Sequence, residues 1–267
     1  MKKSLIMVIL LISVFSCDNS GTKESETKDT SATENQVTKP LAYKLETKIK
    51  KESPCVNDDC SKASVSFPKF SESQKGYQKL NDVIDQKVRE LLAGYVMNSS
   101  AEQSINQIMG AFVKSYTDFK KEFPESKTPW YITFDSKVSY TSDDFISLAF
   151  EVETYSGGAH NLTETIYSNI STKGKEISKL SSFFRDRQAI KVIAEELFRD
   201  QKNIDAEENL SSAGYLFDKD NFELTDNFGF SDKGLIFYYN SYEIAAYSEG
   251  PTRITIPFNS LKGNFRY

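Results

Sequence analysis

The stretch ETYSGGAHNLTE, residues 153–164, holds the one histidine of this 267-residue chain, His160. Imidazole is the side chain best suited to acid–base work near neutral pH and is a common metal ligand. A histidine-based metal centre needs further donors, and there is no second imidazole, so no metal and no cofactor are expected. A serine–histidine–acid triad needs only one histidine, which keeps a small hydrolase in play on the count alone. Yet the chain has no G-x-S-x-G elbow, the strained turn that would present a nucleophilic serine. A mechanical role is simpler. Gly157 and Gly158 permit positive φ where a strand leaves a hairpin. His160 can then bond a backbone group at the turn and set the register of the next strand. Turn residue, ligand contact and catalytic base all stand as roles for His160, in that order. No complete catalytic constellation is present, so no catalytic residue is assigned.

Other residue types capable of chemistry are weaker. Glu151 and Glu153 share one face of a strand, as a glycosidase pair would, but outward charges on a half-exposed sheet follow the same spacing. DKDNFELTDN, residues 218–227, offers oxygen ligands without the spacing and glycine of a calcium loop. Tyr238, Tyr239, Tyr242 and Tyr247 crowd one segment with Glu243 and the Gly250-Pro251 turn. Alternating aromatics on a strand belong mostly to a core. Those beyond one face could form a recognition surface, because amphipathic rings bring contact area with few rotors.

Cys55 and Cys60 lie in PCVNDDCS. The four residues between them suit a hairpin turn, which brings facing strand ends within bonding range. A redox site would favour two intervening residues, and a zinc site needs more ligands than are near. In an exported chain a structural disulfide is the default.

Export is indicated by the N-terminus. MKK, then LIMVILLISVF, then Ser16-Cys17 has the basic start, short apolar run and small residue of a secretory signal over residues 1–16. That run is too short for a bilayer core, which needs about 20 apolar residues. VFS-C resembles a loose bacterial lipobox, which implies cleavage before Cys17 and acylation of its sulfur. Residues 17–40 then read as a lipidated tether: DNSGTKESETKDTSATENQVTKP contains no aromatic residue and too little apolar surface to order itself. About 22 flexible residues reach roughly 25 Å. The whole chain carries 33 Lys and Arg against 38 Asp and Glu, a net charge of −5. Removing a leader with Lys2 and Lys3 makes it more acidic still. Nucleic-acid binding, which depends on basic residues neutralising phosphates, is not expected.

The elements that must position these residues are legible from periodicity. LAYKLETKIK, residues 41–50, alternates, with Leu41, Tyr43, Leu45 and Ile49 on one face, and predicts a half-buried strand. KASVSFPKF, 62–70, answers it across the cysteine turn with Val65 and Phe67 on one face. Pro68 cannot donate to a ladder and marks an edge or strand end. Helical spacing follows twice. Tyr77, Leu80, Ile84, Val88, Leu91 and Tyr95 form the first stripe. Ile105, Ile108, Met109, Phe112, Tyr116 and Phe119 form the second, behind a Ser100/Gln103 capping box. Pro124 and Pro129 stop it. Strands are predicted at 130–140, 145–155 and 162–172, a helix at 186–199 with Ile190, Ile193 and Leu197 inward, and strands within 222–231, 234–244 and 252–258. With 19 Phe and 14 Tyr the chain can fill a core. The order predicts an α+β fold, largely antiparallel, with about three helices.

Two stretches carry a resemblance. Tyr155 to His160 reads aromatic-x-Gly-Gly-Ala-His. Glu243 to Pro251 reads E-I-A-x-Y-x-x-G-P and leads into Ile256 to Leu261, I-P-F-x-x-L. Together they resemble the extracellular domain family of RsiV/PdaC type, shared by a lysozyme-binding anti-sigma factor and the non-catalytic N-terminal region of a peptidoglycan deacetylase. The resemblance covers roughly 41–261. It implies two coupled halves, a PdaC-like 41–162 and an RsiV-like 163–267, sharing an antiparallel sheet. The chain departs from the family in having no sigma-binding segment with membrane helix and no histidine-rich deacetylase domain. What remains is a non-catalytic envelope lipoprotein, lipid-anchored through Cys17 and expected at the outer membrane, facing periplasm or surface. Its implied partners are the membrane, through the anchor, and peptidoglycan fragments or a wall-active protein such as lysozyme. The ligand-contact residues are Tyr155, Gly157, Gly158, His160, Tyr242, Glu243 and Tyr247. A small hydrolase using His160, or a purely structural lipoprotein, is the competing reading.

Overall fold

The computed structural model describes residues 41–55, 59–71 and 77–267. The leader, Cys17 and the tether lie outside the described residues, as do Val56, Asn57 and Asp58 of the cysteine turn and the start of the first helical stretch.

Strands β1 (Tyr43–Lys51) and β2 (Lys62–Phe70) pair antiparallel from Tyr43↔Phe70 to Lys51↔Lys62. Cys55 and Cys60 are disulfide-bonded at their open end, with Cα atoms 5.3 Å apart. The predicted half-burial of β1 is corrected: Leu45 and Ile49 are 57% and 56% exposed. β1 is the outermost strand, and on that face its partners are Ser64, Ser66 and Pro68. The layer that covers this side of the sheet elsewhere does not extend to β1. Lysines along β1 discourage a further strand from adding to the edge.

Two helices carry the chain from β2 to β3 (Tyr131–Thr141): α1 (Tyr77–Gly94) and α2 (Ile105–Glu122). Such a crossover allows parallel pairing, and β2 and β3 pair parallel from Lys62↔Tyr131 to Ser66↔Asp135. The pairing stops short of Pro68, whose missing N–H therefore costs no bond to β3. α1 buries Leu80, Ile84, Val88 and Leu92, a straight i+4 row, and packs on β2. Leu91 is only partly buried and Tyr95 lies just past the helix end. The predicted capping box is displaced by one turn. Ser104 and Gln107 cap α2, while the Gln103 side chain accepts from the Ser100 N–H in the preceding turn.

β4 (Phe145–Tyr155) pairs antiparallel with β3 and with β5 (Leu162–Ser171), and the two-residue β6 (Lys175–Glu176) closes a six-stranded sheet. Its helix face carries Leu148, Phe150 and Val152. α3 (Arg187–Lys202) buries Ile190, Ala194 and Phe198, again an i+4 row, with the predicted Ile193 and Leu197 partly buried against the same core. The long polar segment after it leads to β7 (Phe228–Ser231), β8 (Gly234–Tyr239) and β9 (Thr252–Pro257). Only the last four residues of the predicted 222–231 strand form one, and the 234–244 strand ends at Tyr239.

These three strands form a separate antiparallel sheet in the order β7-β8-β9. The six-stranded sheet is the one the two halves share, with β5 and β6 supplied by the second half, and β7-β8-β9 adds a second sheet that was not expected. β7 packs over β3, β4 and β5, so β4 is buried on both faces from Phe145 to Phe150. Ile146, Leu148 and Phe150 serve the helix-side core, and Phe145 serves a second core with Phe183, Phe230 and α3. Gly229 permits this contact: a Cβ there would sit 2.2 Å from the Tyr167 ring and 2.7 Å from Ser147 Oγ. Among the described residues the fold is α+β, with three α-helices and one parallel strand pair.

Candidate functional site

The Gly-Gly turn between β4 and β5 and the 240–251 segment between β8 and β9 meet at one end of the molecule. The His160 ring lies on the Tyr247 ring, centroids 4.6 Å apart and planes 22° apart. Tyr247 in turn stacks on Tyr242 at 5.2 Å and 30°. Two motifs more than 80 residues apart thus build one row of three exposed rings. Tyr242 is 62% exposed and holds φ +72°. A bulky side chain in the left-handed region is sterically costly, and such strain collects at functional surfaces.

The turn is held by several bonds. Gly157 and Gly158 have φ +95° and +108°, conformations that favour glycine. A Cβ on Gly157 would face the Trp130 indole at 3.6 Å. The Tyr155 hydroxyl donates to the Gly158 carbonyl at 3.2 Å. Glu153 accepts from the Tyr131 hydroxyl at 2.7 Å and the Asn161 amide at 2.8 Å, and Tyr131 stacks on Tyr155. The Glu153 carboxylate is the main cause that raises the Tyr131 phenol above its usual range.

His160 makes a narrower contribution than the register-setting bond predicted for it. Its Nδ1 lies 2.7 Å from the carbonyl of its neighbour Asn161. A carbonyl can only accept, so Nδ1 carries the proton, and in the neutral ring Nε2 is left as a free acceptor. Among the described residues no carboxylate orients the ring and no hydroxyl is bonded to it. Asn161, Tyr155 and Glu153 do the holding of the turn; the imidazole face is committed to Tyr247.

Below the ring row sits a carboxylate pair. Glu243 accepts from the Asn240 amide at 3.3 Å. Desolvation around its carboxyl raises its pKa, and the Glu164 carboxylate adds to the effect, against the Asn240 bond. Glu164 accepts from the Tyr95 hydroxyl just beyond α1. Burial, then that bond, pushes the Tyr95 phenol far up. Asn240 also fixes the loop to the first sheet: its Oδ1 accepts from the Thr165 N–H at 2.8 Å. Of the four crowded tyrosines, Tyr239 is core and donates to the Glu223 carbonyl, Tyr238 packs on Tyr167, and Tyr242 and Tyr247 face out.

Sequence reasoning named Tyr155, Gly157, Gly158, His160, Tyr242, Glu243 and Tyr247; the structure brings all seven to this end, with Tyr155 and the glycines supporting and the rings presented. It passed over Tyr95, Asn161, Glu164 and Asn240. Asn161 and Glu164 flank the named motif, and Asn240 sits three residues before Glu243, where a strand stops. Glu151 pairs with Lys137 at 2.5 Å as an ordinary surface ion pair. In the 218–227 stretch Asp220 accepts from Ser211 N and Oγ. No group of side chains placed to hold a metal ion occurs among the described residues.

Two family profiles match the chain. One described as "Deacetylase PdaC" covers residues 54–163, and one described as "Protein of unknown function (DUF3298)" covers 181–259. The anti-sigma-V factor RsiV of Bacillus subtilis (strain 168) is 23% identical over 220 residues, spanning 76% of this chain and 74% of that protein. Crystal structures of DUF3298-family proteins share the fold. One from Bacteroides fragilis NCTC 9343 superposes with a TM-score of 0.66 at 21% identity. One from Pseudomonas aeruginosa PAO1 does so at 0.60 and 17%. Each alignment covers 85% of this chain and 95% of the other. No helix among the described residues is long and apolar enough to cross a membrane.

Proposed function

The chain is an RsiV/PdaC-type domain, and from that premise we propose that it is an exported binding module whose ring row, His160–Tyr247–Tyr242, grips a wall-active protein such as a lysozyme. The observation that carries this reading is the joint construction of the row: rings from two separated motifs stack in the open, one of them on strained backbone. Exposed aromatic rings with few rotors suit a protein contact. The acidic balance of the chain, with Glu153, Glu164, Glu243 and Glu249 near this end, complements a basic partner and speeds its capture. The likeness to RsiV supports the choice of a lysozyme as first partner.

The same rings would also take a sugar face, so a peptidoglycan fragment is the second reading of this surface. Anchoring is proposed through acylated Cys17, with residues 18–40 as tether, placing the domain in the bacterial envelope at the outer membrane. The two halves, 41–162 and 163–267, are proposed to act as one unit.

The test is capture of purified lysozymes, and of sacculi, by the full chain. Tyr247→Ala and His160→Ala are expected to weaken lysozyme binding at least about tenfold, equivalent to about 1.4 kcal/mol, with little change in melting. Full-strength capture by both variants would remove the ring row from the interface. No enrichment of lysozyme or sacculi by the wild type would remove the function.

A further inference from the structure

A concavity lies away from the ring row, where β5 and β7 face the segment that leads through β6 into α3. Its volume is about 540 Å³, within the range of small-ligand sites. From it we infer a binding site for a carboxylated sugar, distinct from the protein-binding surface.

Three features define the ligand. The first is a buried acceptor. Asn169 lines the cleft and is 3% exposed. Its amide nitrogen donates to the Phe228 carbonyl at 3.1 Å, while its Oδ1 has no donor among the described residues. Buried polar atoms are nearly always paired, so this oxygen takes an O–H or N–H donor, which a water or a ligand hydroxyl at this wall can supply.

The second is a set of cations. Lys179 and Arg187 line the cleft; Arg187 opens the 16-residue α3, whose first turn is already capped by the Asp186 carboxylate, so the attraction for an anion rests on the two side chains. Arg187 approaches only Glu223, at 4.0 Å, and Lys179 has no ion pair among the described residues. Lys87 also lines the cleft but is already bound to Glu176 at 2.7 Å.

The third is the mixture of the remaining walls. The Glu176 and Asp226 carboxylates can accept hydroxyl protons, and Tyr167 and Leu180 give an apolar surface for a ring face.

One negative charge, several hydroxyl or amide donors and a ring with an apolar face describe an acidic monosaccharide or a short acidic glycan. Inorganic phosphate meets only the cations. A polyphosphate is opposed by Glu176 and Asp226. A neutral sugar leaves Lys179 and Arg187 unused.

The test is calorimetric titration of the full chain with N-acetylmuramic acid, glucuronic acid, N-acetylglucosamine and inorganic phosphate. The two acids are expected to bind at least about tenfold tighter than N-acetylglucosamine or phosphate. Lys179→Glu/Arg187→Glu should lose that preference and keep its melting temperature, since both side chains are exposed and an acid in the first turn of α3 suits the helix. Asn169→Leu should weaken all the sugars and leave phosphate unchanged, and counts only if it melts as a folded protein. Equal affinity for acid and neutral sugar, no binding of either acid, or unaltered binding by the double variant would overturn the inference. Failure here with lysozyme capture intact removes the cleft alone, and the reverse result removes the ring row alone.

Discussion

Replacing Asn227 by leucine probes what joins the two sheets. The Asn227 side chain makes three bonds. Its Oδ1 accepts from the Tyr167 N–H at 2.8 Å, and its Nδ2 donates to the Thr165 carbonyl at 2.8 Å and the Tyr238 carbonyl at 2.9 Å. The amide thus acts as a short piece of strand between β5 and β8. Leucine has similar volume and none of this capacity. Three net bonds at about 0.5–1.5 kcal/mol each amount to roughly 1.5–4.5 kcal/mol. The side chain is only partly buried, so water recovers some of this, and about 3 kcal/mol is the working figure. For a folded body of this size, with about 2–4 °C per kcal/mol, the melting temperature should fall by roughly 6–12 °C. Urea and thermal unfolding followed by circular dichroism measure both. Asn227→Asp keeps the acceptor for Tyr167 but sets a carboxylate against two carbonyls. It should be at least as damaged at neutral pH and recover partly in acid, where a protonated carboxyl can donate again. A leucine variant within about 1 kcal/mol of wild type, less than a single such bond can be worth, would refute the clamp.

Two further outcomes are expected alongside the binding tests. Gly229→Ala must part the sheets or turn Tyr167, because the new methyl would lie 2.2 Å from that ring; a loss on the order of 3 kcal/mol is expected, and an alanine variant as stable as wild type in urea would show that the sheets are not so closely apposed. Glu243→Gln tests the carboxylate pair by its pH dependence. Because the folded carboxyl titrates above its unfolded value of about 4.3, the folded chain holds a proton in that window that the unfolded chain has released, and wild-type stability falls as pH rises through it. Wild type and glutamine variant should converge below the window and the variant should be the more stable at neutral pH; a gap that does not change with pH would sink the assignment.

The sequence pattern announced elements better than it announced faces. Both long helices and β3 followed from periodicity, because each has one face buried and one wet or half-wet. β1 has the same alternation and yet exposes Leu45 and Ile49, since alternation records which residues share a face and not whether another layer arrives to cover it. β4 misleads the other way. Its alternation is real at Val152 and Glu153, but from Phe145 to Phe150 a second sheet covers the outer face as well. The partition into two sheets was hidden because its decisive residues are small or polar: Gly229 lets the layers touch, and Asn227 and Asn240 hold them. The candidate site was legible where the motif needed unusual backbone, at Gly157 and Gly158. It was illegible where support came from afar, as with Tyr95 and Trp130.

The same asparagines explain why the ring row exists at all. Asn240 ends β8, and its amide oxygen is fixed to the Thr165 N–H, one residue beyond Glu164 and five beyond His160. The loop that follows therefore starts at a fixed height on β5, and Tyr247, seven residues along, meets the imidazole face rather than solvent. Neither half makes the row alone: the Gly-Gly turn supplies a ring with an exposed nitrogen, and the 240–251 loop supplies the platform beneath it. Loosening the Asn clamps should then weaken the row as a binding surface before it unfolds the protein, because the stacking of three exposed rings contributes little stability of its own and depends on the register that the clamps impose.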